Sequence, residues 1–314
     1  MKKIIVSTTI HPITESIQKF DEIEGWDLIV TGDLATPEDY ELKNGTYISW
    51  EEQQDLYPEI CKKIGPNSWT RGRIIAFIEA YKRGADIVAT VDDDNIPLEN
   101  WGKDVVVGKE IEVTKFITTE PVFDPLIAVK NNKDKIWHRG FPLKFVKDRE
   151  KNLSFVKEKM IPKVQENLWL GDPDVGSVCR QLYRPYWGKV ELFDKYISSN
   201  TYSPFNTQNT IIDAKYLKDY MCIPGVGRQD DHWGSYLFQH KHPCSVVYGE
   251  ATVRQERDYS HTYHTDSRDI KGEYDHYTLT STLLWDLINL SGNKPRGIPE
   301  LAWEVMDIYN SYFE

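Results

Sequence analysis

Three adjacent aspartates, Asp92, Asp93 and Asp94, are the residues of this sequence whose spacing points most clearly to chemistry. Neighbouring carboxylates repel one another, so a cation or several hydrogen-bond donors must lie beside them. Mg²⁺ and Mn²⁺ prefer oxygen ligands and commonly bridge carboxylates to the phosphates of a substrate. The triplet, and Asp92 with Asp94 in particular, therefore predicts a divalent-metal site that binds a diphosphate. A solvated acidic turn is the alternative.

A second acidic cluster, Asp230 and Asp231 followed by His232 and Trp233, comes after the glycine-containing turn 224–227. We interpret this cluster as a substrate-facing loop that enters a helix, with His232 and Trp233 as substrate contacts. Either carboxylate could act as a general base on an acceptor hydroxyl, or hold that hydroxyl in place. Capping of the helix by one of the two aspartates is the alternative, and both roles are compatible.

Basic and imidazole side chains offer partners for a metal and a diphosphate. Arg254 precedes His261 and His264 in one late segment. Imidazole can complete a metal site and guanidinium can neutralise a leaving diphosphate, so we predict His261 as a metal ligand and Arg254 as a cofactor contact. Arg71 and Arg73 lie at the start of a predicted helix, where the helix N-terminus itself attracts phosphate. Exposed surface positions would explain these residues equally well.

Two polar segments could line a sugar pocket. Carboxylates and amides hydrogen-bond sugar hydroxyls, and a tryptophan can cover the face of a sugar ring. The candidates are Trp169, Asp172 and Asp174 in the first segment, and Asn206 and Gln208 in the second. Simple turn formation explains the Gly-Asp-Pro-Asp run of the first segment just as well.

The elements around the aspartate triplet predict an α/β fold. Apolar runs and helical spacing predict strands over 4–7 and 26–31 with a helix over 14–23 between them, then a helix from Asn67 or Ser68 to Gly84 and a strand over 87–91. The triplet thus follows the carboxyl end of a buried strand. Open α/β sheets bind their ligands beyond these strand ends, so position and chemistry agree.

Length and helical spacing predict one large domain with an appended segment. We expect a catalytic domain over residues 1–270, with a nucleotide-binding half at about 1–100 and an acceptor-side half at about 101–270. The remainder, 271–314, is predicted to be a helical segment packed on that domain, with helices over 278–290 and 299–313.

Composition narrows the class of protein. Of the 314 residues 40% are hydrophobic and 12% aromatic, which excludes a disordered chain, and the net charge of -11 gives no sign of a broad nucleic-acid-binding surface. The four cysteines lack CxxC spacing, so we expect reduced core thiols. No signal peptide or transmembrane run is evident, so we expect a cytoplasmic protein without a membrane span; composition leaves the oligomeric state open.

The order of these motifs resembles that of the plant STELLO proteins and of the reversibly glycosylated polypeptides, which are UDP-arabinopyranose mutase-like. The STELLO-like stretch covers roughly the first third of the chain and runs through Thr8, Gly25-Trp26, Thr36-Pro37, Leu42, Glu52-Gln53-Gln54, Arg71, Gly84 and Asp92-Asp93. The reversibly glycosylated polypeptides have a similar aspartate triplet after an apolar strand, a Leu-Trp followed by Pro-Asp, an Asn-containing strand like 206–213, and an Asp-Asp-x-Trp comparable with 230–233.

This resemblance implies a GT-A nucleotide-diphospho-sugar transferase fold, an α/β fold with a mixed, mostly parallel central sheet flanked by helices. Asp92 and Asp94 match the Asp-x-Asp that holds the ribose and a divalent metal, with Asp93 at the same donor site. The resemblance places Thr8, Thr9 and Asp33 near the nucleoside. It implies that Asp231 lies near the reacting sugar or its acceptor.

These expectations combine into a glycosyltransferase that uses Mn²⁺ or Mg²⁺ and a nucleotide sugar, expected to be UDP-linked. The acceptor hydroxyl could belong to a glycan, a protein, a small molecule or a modified nucleic acid. A nucleotide-sugar mutase that interconverts pyranose and furanose forms is an alternative. So are a non-catalytic module that binds sugar nucleotides or organises partners, and a nuclease or phosphatase that uses the same carboxylates.

Overall fold

The structure is a computed structural model that describes residues 1–256, 269–274, 276–289 and 294–314. The strands are β1 (Lys3–Thr8), β2 (Asp27–Thr31), β3 (Thr46–Ile48), β4 (Ile87–Val91), β5 (Asn95–Pro97), β6 (Ile111–Ile117), β7 (Ser154–Met160), β8 (Val164–Gly171), β9 (Ile197–Ser199), β10 (Asn209–Asp213) and β11 (Val246–Gln255). The α-helices are α1 (Glu15–Asp21), α2 (Trp50–Leu56), α3 (Pro58–Ile64), α4 (Trp69–Lys82), α5 (Ser177–Tyr183), α6 (Asp230–Lys241), α7 (His276–Asn289) and α8 (Glu300–Ser311), with a short helix over 269–273.

The strands form one eleven-stranded mixed sheet in the order β3-β2-β1-β4-β10-β8-β11-β9-β6-β7, and β5 pairs with β11. The pairings give seven strands one direction, while β5, β6, β9 and β10 run the opposite way. Helix α4 packs on β1 and β2, and α1 packs on β2 and β5. The predicted fold class, an α/β fold with a mixed, mostly parallel sheet flanked by helices, is confirmed.

Local sequence explains the first half of the sheet. The strand β4 is buried at all five positions, as its unbroken apolar run predicts for a strand covered on both faces. Helix α4 begins after Ser68, whose side chain accepts a hydrogen bond from the Arg71 backbone N–H, and the chain turns beyond it at Gly84 with φ 75°. The predicted N-cap and the predicted end of the helix are therefore both confirmed. Asp92 directly follows β4 and so lies at the edge of the sheet where β4 ends.

Antiparallel β10 brings a remote segment to the same edge. It pairs with β4 so that Asn209 lies opposite Val91. Residues 206–208 therefore enter the sheet at the edge where β1, β2 and β4 end. On the other side of β10, the parallel strands β8 and β11 end together at Gly171 and Gln255. This topology brings the aspartate triplet, residues 206–208 and the ends of β8 and β11 to one edge of the sheet.

The C-terminal helices pack against the rest of the chain. Helix α7 contacts α6, and α8 contacts α3. The buried Tyr309 hydroxyl of α8 donates to the backbone carbonyls of Leu217 and Tyr220, at 2.8 and 3.0 Å. The helices predicted over 278–290 and 299–313 are thus present with slightly different ends. A domain boundary near residue 270 stays a prediction.

The cysteines are all free, but they do not share one environment. Cys61, Cys179 and Cys222 are buried, as expected for core thiols. Cys244 is exposed and has a positive φ of 53° in the turn after α6. The expectation of a core thiol is therefore wrong for Cys244, because it lies in a connecting turn rather than within a strand or helix.

Within the described parts of the chain, we find no helix with the length and apolar character that crossing a bilayer requires.

Candidate active site

A cavity of about 420 Å³ opens where β1, β2 and β4 end. It brings together residues that are far apart in the sequence. The predicted residues in its lining are Thr8, Thr9, Asp33, Arg73, Asp92, Asp93, Asp94, Asp230 and Asp231. Further lining residues include His11, Trp69, Arg139, Thr207 and Arg228. Both acidic clusters therefore face the same space.

Asp92 forms a salt bridge with Arg73 on the cavity wall. Oδ1 of Asp92 lies 2.7 Å from the Arg73 guanidinium, which also donates to the Val91 carbonyl at 2.8 Å. The Asp92 side chain is still 39% exposed. Desolvation raises the pKa of Asp92 despite Arg73, and the nearby carboxylates of Asp94 and Asp231 raise it further. This corner of the cavity holds more negative charge than Arg73 offsets.

The other two aspartates of the triplet point to different partners. Asp93 accepts a 2.5 Å hydrogen bond from the Thr9 hydroxyl, and its backbone carbonyl accepts one from Thr14. Asp94 is exposed and accepts a 3.0 Å hydrogen bond from the Gln255 side chain. The triplet is therefore fixed from both sides, by the β1–α1 connection and by the end of β11.

Asp33 and Arg71 form a buried pair beside the cavity. Asp33 Oδ1 accepts hydrogen bonds from the backbone N–H groups of Leu34 and Asn67, each at 2.6 Å, and lies 3.6 Å from the Arg71 guanidinium. Arg71 is fully buried and does not line the cavity. Since its guanidinium faces Asp33 and the wall, its position differs from that expected of a direct phosphate contact. Asp33 itself reaches the cavity.

Asp230 joins the start of α6 to the start of α4. Its Oδ2 accepts hydrogen bonds from the Trp69 indole N–H at 3.0 Å and from the Thr70 hydroxyl at 2.5 Å. Desolvation, then the charge of Asp231, raise the pKa of Asp230 to about 7. The N-cap of α6 is Gln229, whose side chain makes no capping bond. Neither aspartate occupies the cap position that the alternative interpretation of this cluster requires.

Three residues hold the Asp231 carboxylate in place at the cavity wall. Its Oδ2 accepts from the Thr207 backbone N–H at 3.1 Å and lies 3.6 Å from Arg139, while Oδ1 lies 2.7 Å from His232 Nδ1. Desolvation alone would raise the pKa of Asp231, but His232, Arg139 and the Thr207 N–H together hold it well below its usual range. Asp231 is therefore an ionised, oriented carboxylate.

All seven predicted sugar and substrate contacts are buried and do not line the cavity: Trp169, Asp172, Asp174, Asn206, Gln208, His232 and Trp233. Trp169 and Trp233 are 0% exposed, so neither ring offers a face to a sugar in this conformation. The Trp233 indole N–H instead donates to the Thr280 hydroxyl on α7 at 2.9 Å. Buried polar residues and cavity-lining polar residues are of the same amino-acid types. The sequence alone therefore does not distinguish one group from the other.

The late basic segment is only partly described. Arg254 lies outside the cavity lining, 3.4 Å from the Tyr186 hydroxyl and 3.6 Å from Glu256. His261, predicted as a metal ligand, and His264 lie outside the described residues.

Three buried side chains behind the cavity form what we call the imidazole cluster: His138, Asp174 and His232. Each contributes one ligand atom, and these atoms all lie within 4.8 Å of one another, a spacing that could hold a metal ion. His138 was missed in the sequence because it has no motif partner nearby. It meets His232 and Asp174 only through tertiary contacts.

Arg139 and Trp69 are further cavity residues that the sequence did not single out. The Arg139 guanidinium lies 3.3 Å from Asp174 and 3.6 Å from Asp231, so it connects the imidazole cluster to the cavity. Trp69 is 53% exposed, the first residue of α4, and contacts Asp230. The position of Trp69 directly after the predicted N-cap Ser68 is the one signal in the sequence that places it near a helix N-terminus. Nothing in the sequence marks Arg139.

Glu273 is a buried partner of the cavity residue Arg228, and its carboxylate should make the stability of the protein depend on pH. It is 1% exposed and accepts hydrogen bonds from the Ser177 N–H at 2.8 Å and the Tyr277 hydroxyl at 2.6 Å, and Arg228 lies at 3.4 Å. Desolvation raises the pKa of Glu273, but these donors and Arg139 outweigh it and lower the pKa. A carboxylate whose pKa is lower in the folded state stabilises that state at pH values above its unfolded pKa, about 4.3. This stabilisation is lost as the pH falls below that value towards the folded-state pKa.

We therefore expect Glu273→Gln to lower the free energy of unfolding by about 1.5–3 kcal/mol at pH 7, since a charged hydrogen-bond acceptor is lost. The loss should shrink between about pH 5 and pH 3, where the wild type also gives up this contribution. Urea melts from pH 3 to pH 7 measure both effects, with the exposed Glu300→Gln as control. An equal loss at every pH would contradict the assigned role of the charge.

Comparisons with known proteins agree with the resemblance of the motifs. No protein-family model matches the chain. The probable glycosyltransferase STELLO2 of Arabidopsis thaliana is 23% identical over 292 residues, covering 86% of this chain and 37% of STELLO2. The probable glycosyltransferase STELLO1 of the same plant is 29% identical over 279 residues, covering 82% of this chain and 36% of STELLO1. The chain thus spans little more than a third of the length of these relatives.

Two solved structures show the extent of structural likeness. Glucosyl-3-phosphoglycerate synthase from Mycobacterium tuberculosis, in complex with Mn²⁺, UDP-glucose and phosphoglyceric acid, superposes with a TM-score of 0.45 at 12% identity, covering 88% of this chain and 79% of that one. A197 from STIV gives a TM-score of 0.36 at 13% identity, covering 82% and 87%. The resemblance to the reversibly glycosylated polypeptides stays a prediction. By sequence, the chain is similar to the probable glycosyltransferases STELLO1 and STELLO2 over most of its length, which confirms the predicted resemblance to the STELLO proteins and extends it beyond the first third of the chain.

Proposed function

We propose that this chain is a metal-dependent glycosyltransferase that moves a sugar from a uridine diphosphate sugar to a hydroxyl acceptor. One observation carries the proposal: a single cavity at the carboxyl ends of parallel strands brings Asp33, the aspartate triplet and the Asp230–Asp231 pair together. The similarity to the STELLO proteins supports a glycosyl-transfer reaction in this cavity.

The charge of the cavity favours a metal. Six carboxylates and three guanidiniums line it, the carboxylates being Asp33, Asp92, Asp93, Asp94, Asp230 and Asp231 and the guanidiniums Arg73, Arg139 and Arg228. The arginines are already paired with carboxylates, so a diphosphate entering alone would meet a net negative wall. A hard divalent cation with oxygen ligands removes this obstacle, and the carboxylates present suit Mn²⁺ or Mg²⁺.

Asp92 and Asp94 are the residues that would hold this metal. Asp92 forms its ion pair with Arg73 through Oδ1, and Asp94 accepts the hydrogen bond from Gln255 through Oδ2. Their other oxygens, Asp92 Oδ2 and Asp94 Oδ1, are the proposed metal ligands. When bound, such a metal supplies Lewis-acid stabilisation of the diphosphate leaving group. His261 stays a candidate for a further ligand.

The remaining cavity residues divide between the donor and the acceptor. Thr8, Thr9 and Asp33 lie on the β1 and β2 side, where we place the nucleoside. Asp231 lies in the cavity lining at the start of α6, where its fixed carboxylate would orient the acceptor hydroxyl or accept its proton. Trp69 presents an exposed ring beside Asp230 and would border the sugar.

Calorimetric titration with UDP, with and without Mn²⁺, tests the donor site. We expect Mn²⁺ to be required for tight binding, and Asp92→Asn/Asp94→Asn to weaken binding at least about tenfold, because two anionic metal ligands become neutral amides. The matched control is Asp55→Asn/Asp134→Asn, which makes the same charge change at exposed positions. Metal-independent binding, or equal affinity in both double variants, would contradict the assignment.

Product analysis then identifies the reaction class. Incubation with a panel of UDP-sugars, starting with UDP-glucose, should release UDP at a rate that an acceptor increases. Recovery of an isomerised UDP-sugar without UDP release would instead identify a mutase. Tight binding without any turnover would favour the non-catalytic module, and phosphodiester cleavage without sugar transfer would favour a nuclease or phosphatase.

A further inference from the structure

We propose that the imidazole cluster, His138, Asp174 and His232, is a second metal site that binds Zn²⁺ and is distinct from the donor metal site at Asp92 and Asp94. The donor site consists of partly exposed carboxylates at a cavity, whereas the imidazole cluster is buried behind it: Asp174 is 2% exposed and the two histidines 0%. The metal proposed here serves the structure of the site and does not enter the sugar-transfer reaction.

The geometry of the cluster suits one ion. Three ligand atoms, one from each residue, lie within 4.8 Å of one another. Around a tetrahedral Zn²⁺ with ligands at 2.0–2.1 Å, ligand atoms lie about 3.3–3.5 Å apart. The His232 Nε2 to Asp174 Oδ2 distance of 3.7 Å is already close to that value. The other separations, at most 4.8 Å, would have to shorten to this spacing, and the three residues would fill three of the four ligand positions.

The hydrogen bonding of the cluster leaves buried polar atoms without partners. His232 Nε2 and Glu166 Oε2 are buried, and neither has a hydrogen-bond partner among the described residues. The 3.7 Å separation of His232 Nε2 from Asp174 is too long for a hydrogen bond. A buried polar atom without a partner destabilises the folded state. A metal bonded to His232 Nε2 would give this atom a partner.

Glu166 occupies the position of a residue that orients a metal-binding histidine. Its Oε1 lies 3.2 Å from His138 Nε2, and its side chain is fully buried. Histidine ligands of metals characteristically donate their second ring N–H to a carboxylate or carbonyl. With Nε2–H donated to Glu166, Nδ1 of His138 carries the lone pair for the metal. In the metal-free form that lone pair accepts the Gly140 N–H at 3.2 Å, a bond that the ion would replace.

Charge balance points the same way. Three buried carboxylates, Glu166, Asp174 and Asp231, surround the cluster, and Arg139 is the guanidinium that faces Asp174 and Asp231. As metal ligands both imidazoles would be neutral, so they would add no positive charge. A divalent cation would balance the remaining two negative charges, and a mixed set of imidazole and carboxylate ligands is typical of Zn²⁺.

Metal analysis of the Asp92→Asn/Asp94→Asn protein tests this proposal, because that variant lacks the donor metal ligands. After exhaustive dialysis against EDTA and reloading with one equivalent of Zn²⁺, we expect about one zinc ion per chain and a higher melting temperature. Zinc X-ray absorption should show two imidazole nitrogens in the ligand shell. A shell of oxygens alone, or less than about a tenth of an ion per folded chain, would overturn the proposal.

A second pair of variants assigns the ligands. In the same background, His138→Gln/His232→Gln should abolish stoichiometric zinc binding and the zinc-dependent melting shift. The control His240→Gln/His242→Gln removes two histidines elsewhere on α6 and its end, and should retain both. Undiminished zinc in the first pair would overturn the assignment. If that pair does not fold, the X-ray absorption measurement on the parent still decides.

This outcome is separable from that of the proposed function. Both metal sites could exist without sugar transfer, and the donor site could bind UDP and Mn²⁺ while the imidazole cluster binds nothing. UDP titration of the His138→Gln/His232→Gln pair in the otherwise unchanged chain therefore reports the donor site alone. If this variant still binds UDP, its loss of zinc results from a change confined to the imidazole cluster.

Discussion

Replacement of Asp231 by Asn should lower the rate of sugar transfer by about 10²- to 10⁴-fold, the range by which positioned acid–base groups accelerate reactions. Manganese-dependent UDP binding should stay within about twofold, since the donor metal is assigned to other residues. Initial rates of UDP release from the active UDP-sugar, with acceptor present, measure the first quantity. Calorimetry measures the second.

The contacts of Asp231 explain why the effect should be large. Oδ2 accepts a hydrogen bond from Thr207, and Arg139 and His232 face the same carboxylate. An asparagine amide at this position would direct an N–H group towards one of these donors, where an acceptor is needed. It would also remove the negative charge that the donors hold in place. The acceptor hydroxyl would then lose both its orientation and its proton acceptor.

A matched acid-to-amide change keeps this prediction specific. Asp219 pairs with Lys241 and His242, and it does not line the cavity. We expect Asp219→Asn to transfer sugar at close to the wild-type rate. Sugar transfer by Asp231→Asn at a rate similar to that of Asp219→Asn would contradict the role given to Asp231. It would favour Asp230 as the carboxylate that acts on the acceptor hydroxyl.

The sequence predicted the strands and caps that build the cavity because their signals are local. Unbroken apolar runs specify β1 and β4, and Ser68 and Gly84 bound α4 through their own hydrogen bonds and backbone freedom. The acidic clusters could be predicted for a related reason. Carboxylates that are adjacent in sequence share one environment in any fold.

Burial of polar residues could not be predicted in this way. Trp169 and Trp69 both lie near polar residues in the sequence, Trp169 three residues before Asp172 and Trp69 between Ser68 and Thr70, yet Trp169 is 0% exposed and Trp69 is 53% exposed. The difference comes from the neighbours of β8, which lies between β10 and β11 in the sheet, whereas Trp69 begins a helix at the sheet edge. His138 and Arg139 were missed because their partners, Asp174 and Asp231, reach them only in the folded chain.

Arg71→Met should be among the most destabilising single substitutions, lowering the free energy of unfolding by about 3–5 kcal/mol, as expected when one partner of a buried ion pair is removed. The fully buried guanidinium donates to the Gly65 carbonyl at 2.5 Å and to the Gln53 side chain at 3.2 Å, and lies 4.3 Å from the Trp50 ring centre. Methionine fills much of the volume but satisfies none of these acceptors, and it leaves Asp33 without its buried counter-charge.

The surface variant Lys19→Met provides the comparison for Arg71→Met. Lys19 pairs with Glu15 across one turn of α1, and both side chains are about half exposed or more. A pair of this kind contributes about 0.3–0.5 kcal/mol. Urea melts of both variants give the difference directly, and equal losses would contradict a structural role for Arg71. If Arg71 instead contacted the phosphates, its loss would weaken UDP binding while leaving the melts unchanged, so titration and unfolding together separate the two positions of this side chain.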